Sequence, residues 1–182
     1  MCNQFDHFIT LTLDGNKYDR HDLDLYIKDL GQFIRNYRRI HKVDIQYLLI
    51  PEQHKNGAWH IHGLIRGIPL EHLEVNKFNY LDWPKYREKF GWCSMSAVKS
   101  QIAVSKYITK YISKNLLVMA QLAGMKNKKL YYATRGLKKP QKIKEGTTSA
   151  NVIPHDIITF ENDYVITVEM NFNQFYDLLG KL

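Results

Sequence analysis

His60 and His62 lie one residue apart in the segment Trp59-His60-Ile61-His62-Gly63-Leu64. On a β-strand, residues i and i+2 project to the same side, so both imidazoles face one point. Neutral imidazole is a common metal ligand. Glu52 ends the preceding apolar run, across a Lys55-Asn56-Gly57 turn from the histidines, where a carboxylate can complete a three-ligand set with open positions. Two imidazoles and one carboxylate suit Mn²⁺ or Mg²⁺ with waters; ligand type leaves zinc and iron open, and His54 on the loop is a competing donor. The same pair is equally compatible with two ordinary surface histidines.

A second constellation is Tyr107-Ile108-Thr109-Lys110-Tyr111-Ile112-Ser113-Lys114. Tyr107 and Tyr111 are i, i+4, as are Lys110 and Lys114, so each pair shares a helix face. One reading makes the tyrosines core or stacking residues and the lysines solvated. The other is chemical. A phenol with pKa near 10 is a poor nucleophile at neutral pH. A metal that polarises a target phosphate, with a lysine near the developing charge, makes its attack feasible.

The charge distribution bears on what such a site would act upon. The 182 residues carry 26 Lys/Arg and 18 Asp/Glu, a formal net charge of +8. Residues 1–144 hold 25 basic and 12 acidic residues, whereas 145–182 hold 1 and 6. From Lys99 to Lys144 there are 12 basic residues and no acid, interleaved with Tyr107, Tyr111, Tyr131 and Tyr132. A phosphate backbone attracts such a stretch through counterion release. A solvated lysine-rich face is the plainer reading, and an anionic membrane surface is disfavoured because no amphipathic helix with exposed Trp or Phe accompanies the charge. Cys2 and Cys93 are too few for a disulfide framework and form no Cys-x-x-Cys pair. No apolar run approaches the roughly 20 residues of a membrane span, and no secretory signal is visible. A cytoplasmic protein is expected.

The elements that must position these residues follow from periodicity. Phe8 to Leu13 alternates apolar residues with Thr10 and Thr12 and predicts a strand closed by Asp14-Gly15. Asp22 to Lys42 carries apolar residues at three-to-four spacing and predicts an amphipathic helix. Its far end bears Arg35, Arg38, Arg39 and Lys42, suited to the helix dipole and also to DNA. Ile45 to Ile50 reads as a strand stopped by Pro51, forming a hairpin with Ala58 to Arg66. Residues 68–90 read as a connector. Gly91–Val98 predicts a strand, Gln101–Leu117 a helix and Leu130–Thr134 a strand. Pro140–Ala150 reads as a linker, followed by an acidic hairpin turning at Asn162-Asp163 and a terminal helix over 173–182.

An Ile-Thr-Leu-Thr strand, then His-Ile-His-Gly-Leu, then Tyr-Ile-Thr-Lys-Tyr-Ile-Ser-Lys, in that order, resembles the three motifs of the HUH endonuclease superfamily. The resemblance is greatest to the two-tyrosine rolling-circle replication initiators of single-stranded DNA phages and plasmids. It covers roughly residues 8–140, including Tyr132 to Pro140. It implies an α+β fold with a central antiparallel sheet of about five strands, related to ferredoxin-like and RRM sheets, with helices packed on it. By the resemblance His60, His62 and Glu52 hold Mn²⁺ or Mg²⁺, Tyr111 is the first nucleophile, Tyr107 makes the second attack, and Lys110 or Lys114 stabilises charge. Lys106, Lys126, Lys128, Lys129, Arg135, Lys138 and Lys139 would hold the DNA backbone, which positions without reading sequence.

The implied activity is metal-dependent nicking and rejoining of one DNA strand through a 5′-phosphotyrosine, at an origin presented as a single strand or hairpin. Residues 1–144 would be the nicking domain, with 145–182 an acidic hairpin and short helix packed on it. No GxxxxGK[ST] motor motif is present, so a host helicase and polymerase are the expected partners, in a prokaryotic cell hosting the phage or plasmid. Relaxases place the tyrosine before the histidines, unlike this chain. A single-tyrosine transposase fits the order but not the tyrosine pair. A non-catalytic single-strand-binding module is the alternative from another class, its tyrosines stacking bases.

Overall fold

Alternation along the first strand decides the architecture. In the computed structural model, which describes residues 3–121, 129–139, 153–161 and 166–180, β1 (His7–Thr12) buries His7, Ile9 and Leu11. Phe8, Thr10 and Thr12 stay half-exposed on its other side. β1 pairs antiparallel with β3 (Trp59–Arg66) along one edge and with β6 (Cys93–Ala97) along the other. β2 (Gln46–Gln53) forms the hairpin with β3, and β7 (Tyr132–Ala133) adds to it at Leu48 and Leu49. Beyond β6 come the two-residue strands β5 (Leu81–Asp82) and β4 (Glu74–Val75). The described residues thus form a seven-stranded antiparallel sheet in the order β4-β5-β6-β1-β3-β2-β7.

Helices cover the two faces unequally. α1 (Leu23–His41) begins where the Asp22 carboxylate accepts from the Leu25 amide at 2.9 Å, and ends at Lys42, which takes the left-handed φ of 53°. Its stripe of Tyr26, Leu30, Ile34 and Tyr37 packs on Ile9, Leu11, Ile61 and Ile65. α2 (Pro84–Lys89) joins the same core, flanked by the fully buried Trp83 and Phe90. The Tyr26 and Tyr86 hydroxyls bond at 2.6 Å inside it, so neither is left unpaired. α3 (Gln101–Gln121) packs on the opposite face, where Val104, Ile108 and Ile112 meet Phe5, Ile50 and Leu64.

Three sequence expectations are corrected. Residues 68–90 are part of the fold, not a connector: β4 and β5 account for the two strands beyond the five expected, and Trp83, Tyr86 and Phe90 lie among its most buried residues. Pro51 does not stop β2, which runs on to Gln53 opposite Trp59. Past Leu49 no described strand pairs with the outer edge of β2, so a residue without an amide hydrogen is tolerated there. The basic end of α1 belongs to the helix on the far face from His60 and His62, and Arg38 is engaged by Asp44 at 2.7 Å.

Two compact units divide between Lys139 and Pro140. The second contains β8 (Ile158–Glu161), paired antiparallel with β9 (Ile166–Val168), and α4 (Phe172–Gly180). The linker expected at 140–150 and the turn at Asn162-Asp163 lie outside the described residues. No helix among the described residues is long and apolar enough to cross a membrane.

Candidate active site

β3 sends Trp59, Ile61 and Ile65 to the buried side, which obliges His60 and His62 to emerge on the α3 side. β1 delivers Thr10 and Thr12 to the same side, in register with His62 and His60 respectively. Thr10 Oγ1 lies 3.2 Å from His62 Nδ1, and Thr12 Oγ1 lies 3.0 Å from His60 Nδ1. Each hydroxyl fixes one ring orientation by engaging Nδ1, which leaves Nε2 for another partner.

Glu52 stands opposite His60 in the β2–β3 register. Its carboxylate nevertheless reaches diagonally, with Oε2 2.8 Å from His62 Nε2 and both side chains 13% exposed. The residue after His62 must be small for this pairing to close. A Cβ on Gly63 would sit 2.3 Å from the Leu48 carbonyl oxygen, so glycine lets β2 approach β3. The His54 ring stacks on His60 with centroids 3.8 Å apart, keeping that competing donor beside the pair.

Electrostatics favour uncharged His60. Burial pushes its pKa down to about 4, nearby His54 and His62 push the same way, and Glu52 opposes them. At neutral pH the ring is therefore the neutral base a metal requires. Among the described residues, no group of three His, Cys, Asp or Glu side chains is arranged to hold a metal ion as it stands. Glu52 instead closes directly on His62.

α3 lays its tyrosines over this polar end of the sheet. The Tyr111 ring stacks on His62 with centroids 4.4 Å apart and planes 25° from parallel. Its hydroxyl bonds that of Tyr107 at 2.8 Å, and Phe8 meets the Tyr107 ring edge-on at 5.2 Å. Tyr111 is half-buried, whereas Tyr107 is 46% exposed. Burial first, then the Tyr107 hydrogen bond and the Glu52 charge, hold the Tyr111 phenol above its ordinary value. This phenol stays protonated at neutral pH unless something stabilises its anion.

The sequence-derived residues thus divide. His60, His62, Glu52, Tyr107 and Tyr111 come together on one sheet face. Lys106 and Lys110 are exposed on α3, and Lys129, Arg135, Lys138 and Lys139 are exposed around β7. The Lys138 backbone is tied to the Asn3 side chain by bonds of 2.9 Å in both directions. Lys126, Lys128 and the Lys114 side chain lie outside the described residues. Thr10, Thr12, Phe8 and Gly63 were given no role from sequence. The available signal was the alternation Phe8-Ile9-Thr10-Leu11-Thr12, which puts two hydroxyls on one face of a strand.

Comparison with known proteins bears on the whole assembly. The family model for the ORF2 type of replication-associated protein matches residues 6–116, from the start of β1 through both tyrosines. No match was found among curated proteins or among solved structures. The match supports a role in replication initiation, and it spans more than half of the chain. This chain belongs to the ORF2 family of replication-associated proteins.

Proposed function

We propose that the protein nicks and rejoins one strand of DNA through a 5′-phosphotyrosine, and so starts rolling-circle replication. The observation that carries this reading is the stacking of Tyr111 on His62, which is itself paired to Glu52. A nucleophile lies against the residues suited to polarise a phosphate. In the first step the Tyr111 Oη attacks phosphorus, a Tyr–O–P bond forms, and the bond to the 3′ oxygen breaks. The phenolic proton passes to the Tyr107 hydroxyl or to solvent, and the departing strand end leaves as a free 3′-OH. The phosphotyrosine keeps the energy of the phosphodiester, so a second transesterification needs no ATP. Tyr107, hydrogen-bonded to Tyr111, is placed to make that second attack.

The donor set fits a divalent cation. Two imidazoles anchored through Nδ1 and one carboxylate oxygen suit Mn²⁺ or Mg²⁺ with waters. Admission of the ion requires Glu52 Oε2 to release His62 Nε2. When bound, such an ion supplies charge that polarises the scissile phosphate. Lys110 adds positive charge along α3, while exposed Lys106, Lys129, Arg135, Lys138 and Lys139 offer backbone contacts. The free 3′-OH suits extension by a host polymerase, with strand separation left to a host helicase.

The test is incubation with labelled circular single-stranded DNA and Mn²⁺, followed by denaturing gels and mass spectrometry of DNA-linked peptides. EDTA controls and the Tyr107→Phe and Tyr111→Phe variants run beside it. A metal-dependent adduct on Tyr111, reduced at least about a thousandfold in Tyr111→Phe, is the expected result. A reversible complex that forms equally in EDTA, with no cleavage, would instead make the domain a binding module.

A further inference from the structure

A groove of about 780 Å³ lies on the α3 side of the sheet, floored by β1 and β6 and walled by the first turns of α3. Its volume falls in the ~300–1,000 Å³ range typical of ligand sites. Thr10 and Tyr107 line it, so it is continuous with the tyrosine site. Ser94 and Ser96 share its floor because β6 sets them in register with Thr10 and Phe8. At another part of its rim stands Tyr80, contributed by the turn between β4 and β5.

Tyr80 is half-exposed yet rigidly mounted. Its amide donates to Asn76 Oδ1 at 3.1 Å, and its carbonyl accepts from the Asn76 amide at 2.8 Å. Asn79 completes the turn with a φ of 63°. An exposed aromatic ring on an ordered turn suits stacking, because little freedom is lost on contact. Hydroxyls on the floor offer donors and acceptors, and Lys99 lines the same groove. Lys99 also opens the stretch to Lys144 that holds no acidic residue. An anionic chain bearing flat, polar-edged rings matches all three features.

We propose that this groove holds unpaired bases of the DNA strand adjoining the scissile phosphate, stacked on Tyr80 and read at their edges by Ser94 and Ser96. The inference rests on the nicking reading above. It assigns base discrimination to residues outside the metal and nucleophile set, since backbone contacts carry no sequence information directly.

Single-stranded oligonucleotides of about 12 nucleotides, within the span such grooves track, would be made as a mixed-sequence pool carrying 5-iododeoxyuridine. They are titrated against the full chain in EDTA, then photocross-linked, and the linked peptides are identified by mass spectrometry. The expected results are a cross-link on the Tyr80 peptide and binding weakened about tenfold by Tyr80→Ala, with Tyr80→Phe within about twofold of wild type. Phe78→Ala is the control, because Phe78 is 67% exposed on the same turn but does not line the groove. It should change binding less than about twofold. Unchanged binding in Tyr80→Ala, cross-links confined to other segments, or equal losses in Tyr80→Ala and Phe78→Ala would each overturn the proposal. Wild-type protein that cross-links at Tyr80 but forms no adduct with Mn²⁺ would fail the nicking reading while keeping the groove. Adduct formation with no dependence on Tyr80 would do the reverse.

Discussion

The two faces of the sheet are built from the same strands and do opposite work. On the α1 face, Ile9, Leu11, Ile61 and Ile65 meet Tyr26, Ile34, Trp83 and Phe90 in a dry core whose members are nearly all under 5% exposed. On the α3 face the apolar contact is a smaller cluster around Phe5, Ile50, Leu64 and Ile108. The remainder of that face is occupied by Thr10, Thr12, His60, His62 and Glu52, joined by hydrogen bonds rather than packing. β3 contributes alternate residues to both faces, so a rigid core on one side fixes the side-chain directions on the other. This separation lets stability and chemistry be altered independently, and three substitutions or conditions test how far.

The largest effect belongs to the core face. Trp83 is fully buried at the start of α2 and packs against Phe33 and Tyr37 at centroid distances of 5.1 and 4.9 Å. Trp83→Ala should destabilise the fold by about 3–5 kcal/mol through lost burial and the cavity left behind. Urea unfolding measures it. At temperatures where the variant remains folded, metal affinity should match wild type; a large loss of affinity there would show that the faces are coupled.

An intermediate effect is expected where a hydroxyl supports a histidine. Thr12→Val keeps the side-chain shape but removes the partner of His60 Nδ1. Loss of such a support lowers metal affinity about 10- to 100-fold, whereas the stability cost of one partly buried hydrogen bond is about 1 kcal/mol. Calorimetric titration with Mn²⁺ beside a urea curve separates the two. Unchanged affinity would mean that Thr12 merely neighbours His60 and that the ring is oriented by other contacts, such as its stacking on His54.

This contrast between faces also explains what could be read from the sequence. The α1 helix was legible to within a residue at each end because 19 residues of regular spacing repeat one signal, and Asp22 supplies the cap. Trp83, Tyr86 and Phe90 were not, because α2 spans six residues and β4 and β5 two each, too short for a period to emerge. In the site, His60 and His62 declared a shared face by spacing alone, and Glu52 could be placed through the local hairpin. The roles of Thr10 and Thr12 depend on which strand lies beside β3, a pairing 48 to 52 residues distant in sequence. Nor does spacing state that Glu52 would contact His62 diagonally rather than His60 directly opposite.

The smallest expected effect joins the two faces through pH. His60 has a folded pKa of about 4, lowered chiefly by burial, whereas an unfolded histidine titrates near 6.5. Between those values the unfolded chain binds a proton that the folded chain refuses, so stability falls as pH drops from about 6.5 toward 4 and is fully retained above it. Partial exposure of the ring screens the effect and keeps it below that of the core substitution. Urea midpoints of metal-free protein at several pH values in that interval measure it, with His60→Gln as reference. Wild type should lose more stability on acidification than the variant, since only wild type carries this proton difference. Parallel losses in both proteins would show that His60 takes up its proton as readily folded as unfolded, and that the site end of the sheet is open to water rather than shielded by α3.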